Sequence, residues 1–126
     1  MPGEPGFAEE GSSAPPTDAA ILENLRRLGG EELLRRLIEA FIEDFRDYLR
    51  ILQAALIAAE PASLGSAAYY LKAGASTMGA LALSSACSEL ERAARAGDLS
   101  RMPYLLEEVE SRFRAASEAL LREVAG

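Results

Sequence analysis

The stretch PASLGSAAYYLKAGASTMGALALSSACS, residues 61–88, carries a single charged side chain, that of Lys72. Serines and glycines interrupt its apolar residues, which makes it too polar and too broken for a membrane span. The sequence therefore predicts two buried helices here, over about 62–78 and about 80–96. The positions that would face the core are Leu64, Ala68, Leu71, Ala75 and Met78 in the first helix, and Leu83, Cys87, Leu90 and Ala94 in the second.

Charged segments with strong helical periodicity flank this stretch on both sides. Upstream, a glycine pair separates a short helix over about 18–28, capped by Thr17 or Asp18, from a long helix over about 31–59. Downstream, a last helix is predicted over about 100–124. The stripes expected to face the core are Leu34, Leu37, Phe41, Phe45, Tyr48, Leu52 and Leu56 in the long helix, and Met102, Leu106, Val109, Phe113, Ala116, Leu120 and Val124 in the last.

Composition and link lengths predict how these helices assemble. Ala and Leu are abundant while Val and Ile are scarce, which favours helices over a sheet. Short links place successive helices antiparallel, so we predict an all-α fold, an antiparallel up-down four-helix bundle with a short leading N-terminal helix, over residues 17–126. Residues 1–16 are rich in Gly, Pro, Ser and Glu, and we expect a disordered tail or linker there and no signal peptide.

Charge and residue usage exclude several classes of function. The formal net charge of −7 argues against a nucleic-acid-binding domain. The chain has no histidine, so it lacks the commonest metal ligand and the commonest general base. Its only cysteine, Cys87, falls on a core stripe and is expected to be a buried small hydrophobe. We therefore expect no metal and no cofactor, no contact with a membrane, and a cytoplasmic location.

One face of the helix predicted over 62–78 differs from an ordinary solvated surface. Tyr69, Lys72, Ala73 and Ser76 stand at positions i, i+3, i+4 and i+7, so they share a face opposite the core stripe. This face is nearly flat and poorly charged. One interpretation is a partly covered helix that happens to be apolar. The functional interpretation is a docking surface with a tyrosine anchor and a lysine aimed at an acidic partner.

The residues from 67 to 80, AAYYLKAGASTMGA, resemble the signature of histidine phosphotransfer (HPt) domains. That signature reads Ala-His-any-Leu-Lys-Gly-Ser-Ser, followed shortly by Gly-Ala. The resemblance extends over about residues 18–124 and implies a four-helix bundle. Counting back ten positions from Gly79 reaches Tyr69, and Lys72 then falls where the family has lysine. Tyr69 thus stands where the family has its phosphorylated histidine, and Ala73 and Gly74 also depart from the signature.

The resemblance implies a function in two-component signalling, with a change. The family passes a phosphoryl group between a histidine nitrogen and an aspartate of a receiver domain. An imidazole with a pKa of about 6.5 is a competent nucleophile at neutral pH, whereas a phenol with a pKa near 10 is not. We therefore expect no enzymatic activity, but a pseudo-phosphotransferase that binds a response-regulator receiver domain or a histidine kinase through Tyr69, Lys72, Ala73 and Ser76.

Other interpretations remain open from the sequence. The flat face could serve self-association, in a helical dimerisation or interaction domain that has left phosphorelay signalling. Tyr69 could itself accept a phosphoryl group, although a phenol needs an activating base or metal for that. The chain could also be an inactive mutant of an active HPt domain, but the further departures at Ala73 and Gly74 argue against a single His-to-Tyr change.

Overall fold

Four helices account for nearly all of residues 15–125, which are the part of the chain that the computed structural model describes. They are α1 (Ala19–Ile57), α2 (Pro61–Thr77), α3 (Leu81–Arg95) and α4 (Met102–Glu123), with no strand in this range. The all-α bundle predicted from the sequence is confirmed. Of the predicted tail, residues 1–14 lie outside the described residues, and Pro15 and Pro16 are exposed.

The leading helix and the long helix form one element with a kink. Gly30 alone is non-helical inside α1, with φ of 82° and ψ of 178°. This left-handed φ suits glycine, which has no Cβ to clash with the backbone. Asp18 caps the first turn, since its side chain accepts a hydrogen bond of 2.9 Å from the backbone N–H of Ala20. The predicted break between 28 and 31 is therefore confirmed, and it takes the form of a sharp kink at Gly30 that divides α1 into a leading and a long helical segment.

The core lies between all four helices, and the sequence predicted most of it. Every position predicted to face the core in α2, α3 and the last helix is buried. In α1 the predicted stripe was wrong at two positions. Leu37 and Phe41 are only half-buried, and the residues that follow them, Ile38 and Ile42, are buried instead. Both pairs are apolar neighbours, so periodicity alone does not choose between them. Tyr48 and Leu56, also predicted in the core, lie half-buried at its edge.

The turn between α2 and α3 fixes the end of α2 against the start of α1. The backbone N–H of Asp18 donates a hydrogen bond of 2.9 Å to the carbonyl of Gly79. Gly79 has a φ of +75°, and a Cβ there would lie 3.3 Å from atoms of Asp18 and Ile21. Only glycine fits both the backbone angle and the close approach. This contact holds the C-terminal end of α2 in place.

Candidate docking surface

The outward face of α2 carries the four residues singled out in the sequence. Tyr69 is 55% exposed, and Ala73 and Ser76 are exposed as well. Lys72 is half-buried beside them. The helical spacing therefore brings the four together as predicted. That they bind a partner stays a prediction, and we call them the α2 face below.

Lys72 does not extend freely towards solvent. Its Nζ donates a hydrogen bond of 2.9 Å to Oε1 of Glu91 on α3, and it also lies 4.8 Å from the centroid of the Tyr69 ring. The ammonium group is thus held between a carboxylate and an aromatic face, where a cation is attracted to both. The sequence predicted a lysine aimed at an acidic partner. Within the domain, its acidic neighbour is Glu91.

Glu91 is a buried carboxylate with two cationic neighbours. Its side chain is 9% exposed, and Oε2 accepts hydrogen bonds of 2.9 Å and 2.6 Å from Nε and Nη2 of Arg95. The hydrogen bond from Lys72 lowers the pKa of Glu91, burial opposes this shift, and Arg95 adds to the lowering. Sequence reasoning missed this residue as part of the site. It could have been found from its position, because this glutamate lies among the apolar residues of α3 that face the core.

Ser76 lies at the border between the α2 face and α3. Its hydroxyl is 2.8 Å from that of Ser84, and the Ser84 hydroxyl donates to the backbone carbonyl of Lys72 at 3.2 Å. These hydrogen bonds tie the middle of α2 to the start of α3. Together with the Lys72–Glu91 pair, they link this edge of the α2 face to α3.

The opposite edge of the α2 face borders a groove between α1 and α2. There the hydroxyl of Tyr70 donates a hydrogen bond of 2.9 Å to Oδ2 of Asp44, and its ring stacks on that of Tyr48 at 4.3 Å between centroids. The hydrogen bond to Asp44 raises the pKa of Tyr70. A Cβ added at Gly74 would lie 4.0 Å from the ring of Phe41, so the missing side chain opens the groove. The sequence analysis did not predict these contacts of Tyr70 on α2 with Asp44 and Tyr48 on α1.

The arrangement suits binding to a protein surface. The exposed aromatic ring of Tyr69 is the feature typical of a docking patch, because tyrosine is enriched at the centres of protein interfaces. Within residues 15–125, His, Cys, Asp and Glu side chains form no group of three that could hold a metal ion. In the same part of the chain, every helix is too short or too polar to cross a bilayer.

Comparisons with known proteins agree with this fold. The family model described as Hpt domain matches residues 36–123. The crystal structure of histidine-containing phosphotransfer protein B (HptB) from Pseudomonas aeruginosa PAO1 is similar, with 36% sequence identity and a TM-score of 0.84, over 90% of this chain and 97% of that chain. No curated protein gives a significant match. The chain belongs to the HPt domain family of two-component signalling.

Proposed function

We propose that this HPt domain binds a receiver domain or a histidine kinase in the cytoplasm without relaying a phosphoryl group. The observation that carries the proposal is an exposed tyrosine, Tyr69, three residues before Lys72 on the α2 face, in a chain without histidine. In this reading Tyr69 stands where the family's phosphorylated histidine would be. The HPt fold and the lack of any histidine in the chain support this proposal.

The surroundings of Tyr69 do not favour making it a nucleophile. A phenol must lose its proton to attack phosphorus, so it needs a base nearby. Glu91, the carboxylate beside Lys72, already accepts hydrogen bonds from Lys72 and Arg95. Because its pKa is lowered, it is a weaker base than an ordinary carboxylate. A phenyl phosphate ester would in addition be too stable to return its phosphoryl group to an aspartate.

Binding needs none of this chemistry. Tyr69 offers a large aromatic surface with few rotatable bonds, and Ala73 next to it allows close approach. Some transient encounters between signalling domains bury only about 1,200 Å² of surface or less. One central aromatic side chain can supply much of the affinity in a patch of that size.

Titration of the purified chain against receiver domains and histidine kinases of the same genome tests the proposal. We expect at least one to bind, and Tyr69→Ala to weaken that binding about tenfold or more. Tyr104→Ala is the matched control, because Tyr104 is 62% exposed but lies on α4. Absence of binding to every partner, or equal effects of the two substitutions, would overturn the proposal. Light scattering on the same samples reports the alternative, a dimer formed through the α2 face.

A further inference from the structure

The groove between α1 and α2 is lined by aromatic rings, a carboxylate and a glycine. Its inner part encloses about 190 Å³ and is lined by Phe41 and Asp44 of α1 and by Tyr70, Gly74 and Thr77 of α2, among others. Phe41 and Tyr70 line it with aromatic rings, and Gly74 adds no side chain to it. The space fits one long side chain and is too small for a helix, whose diameter is about 10–12 Å.

A carboxylate stands at the mouth of this groove. Asp44 is exposed and accepts one hydrogen bond from Tyr70, and a carboxylate has room for several more. Glu43 extends the acidic rim outwards. Two cations lie nearby, but Arg50 pairs with Asp47 of the outer groove at 2.9 Å and Lys72 pairs with Glu91, so neither pairs with Asp44. Among the described residues, the Asp44 carboxylate therefore keeps its negative charge free of an ion pair, next to aromatic rings.

We propose that this groove receives an arginine side chain of the receiver domain that docks on the α2 face. A guanidinium group is planar, stacks on aromatic rings and forms forked hydrogen bonds with a carboxylate. Phe41 and Tyr70 supply the rings, and Asp44 supplies the carboxylate. The inference rests on the proposed function for the class of partner, and it adds the charge that the partner must carry.

The groove and the α2 face form one continuous surface. Ala73 belongs to both, because it is exposed beside Tyr69 and also lines the inner groove. A partner seated on Tyr69 therefore lies within reach of Asp44. The formal charge of −7 on the chain favours approach by a partner with a basic surface. Tyr69 then provides contact area, while Asp44 selects among receivers by charge.

The first arm of the test compares two neutral substitutions in the binding titration. Asp44→Asn keeps the size and a hydrogen-bond acceptor for Tyr70, and it removes the charge. We expect about 3- to 10-fold weaker binding of the receiver, with a difference that shrinks at high salt. Glu118→Gln, at an exposed position on α4, is the control and should leave binding unchanged. A receiver that binds wild type and Asp44→Asn equally well overturns the inference and leaves the proposed function standing.

The second arm works without any receiver. The chain is titrated with N-acetyl-arginine amide and with its neutral analogue N-acetyl-citrulline amide, up to about 50 mM, while amide chemical shifts are followed by NMR. We expect saturable shifts at Phe41, Asp44, Tyr70 and Gly74 with the arginine compound only, and none in Asp44→Asn. Equal responses to the two compounds, or no response at these residues, overturn the inference. Arginine-specific shifts without binding to any receiver or kinase would support the groove and overturn the proposed function instead.

Discussion

Nζ of Lys72 lies 2.9 Å from Oε1 of Glu91, so the only lysine of the chain is paired inside its own domain. Glu91 is held in turn by Arg95, and the three side chains join α2 to α3 directly beside Tyr69. A lysine held in this way exposes its aliphatic stem and only part of its ammonium group to a partner. The affinity of the α2 face should therefore depend more on Tyr69 than on Lys72.

The Glu91 pairings predict a loss of stability that depends on pH. Glu91→Gln keeps the shape of the side chain but removes its charge, and we expect the free energy of unfolding at pH 7 to fall by about 1–2 kcal/mol. Lys72 and Arg95 lower the pKa of Glu91 below its ordinary value of 4.5 in the folded state. The stabilisation is therefore complete above that value and is lost as the pH falls through the lower, folded-state pKa.

Urea unfolding at several pH values measures this. The difference between wild type and Glu91→Gln should be constant from pH 7 to about 5 and should shrink at lower pH. Glu118→Gln, which alters an exposed carboxylate on α4, provides the baseline. A difference for Glu91→Gln that stays the same down to pH 3 would mean that the ion pairs do not cause it.

Placing a histidine at position 69 of the α2 face should confer phosphoryl acceptance. With Tyr69→His, an imidazole would be exposed next to Lys72, and we expect transfer from a phosphorylated receiver that binds the domain. The product should be labile in acid and stable in base. The wild-type chain should remain unlabelled under the same conditions.

Tyr70→His is the matched control for this experiment. Tyr70 is also exposed, but it leans into the groove towards Asp44 and lies off the α2 face. The Tyr70→His variant should therefore accept no phosphoryl group. Labelling of Tyr70→His but not of Tyr69→His would show that the family register assigned to this helix is shifted by one residue.

Two glycines with a positive φ should respond differently to alanine. Gly97 has a φ of +70° with nothing within 4 Å of an added Cβ, so Gly97→Ala should cost only the backbone strain, about 1 kcal/mol. Gly79→Ala adds a Cβ 3.3 Å from Asp18 and Ile21, and we expect a cost of about 2–3 kcal/mol. Urea midpoints of both variants check the order, and equal losses would show that the turn relaxes freely.

Cys87 should be inert in the folded chain. It is fully buried on α3, and burial raises the pKa of its thiol to about 12. Because the thiolate is the reactive form, modification by a disulfide reagent at pH 8 should be undetectable until denaturant is added. Rapid modification of the native chain would show that α3 opens locally.

The sequence predicted the bundle because apolar residues recur at helical spacing with clear glycine and proline breaks between them. It also predicted which side of α2 faces out, since Leu64, Ala68 and Leu71 leave only one remaining face for Tyr69. These features are local and follow from the helix repeat. The sequence could not predict that Ile38 rather than Leu37 is buried in α1. Both residues are apolar, and only the packing of the neighbouring helices determines which of them is buried.

Sequence by itself determined the fold class, the position of Tyr69 beside Lys72 and the absence of histidine. Only the tertiary structure decided which side chains from other helices make contact on α2. Lys72 contacts Glu91, and Tyr70 contacts Asp44 and Tyr48. Those pairs are separated by 19 to 26 residues along the chain. Spacing along one helix specifies a face, but contact between two helices depends on how they pack, and helical periodicity within each does not specify that.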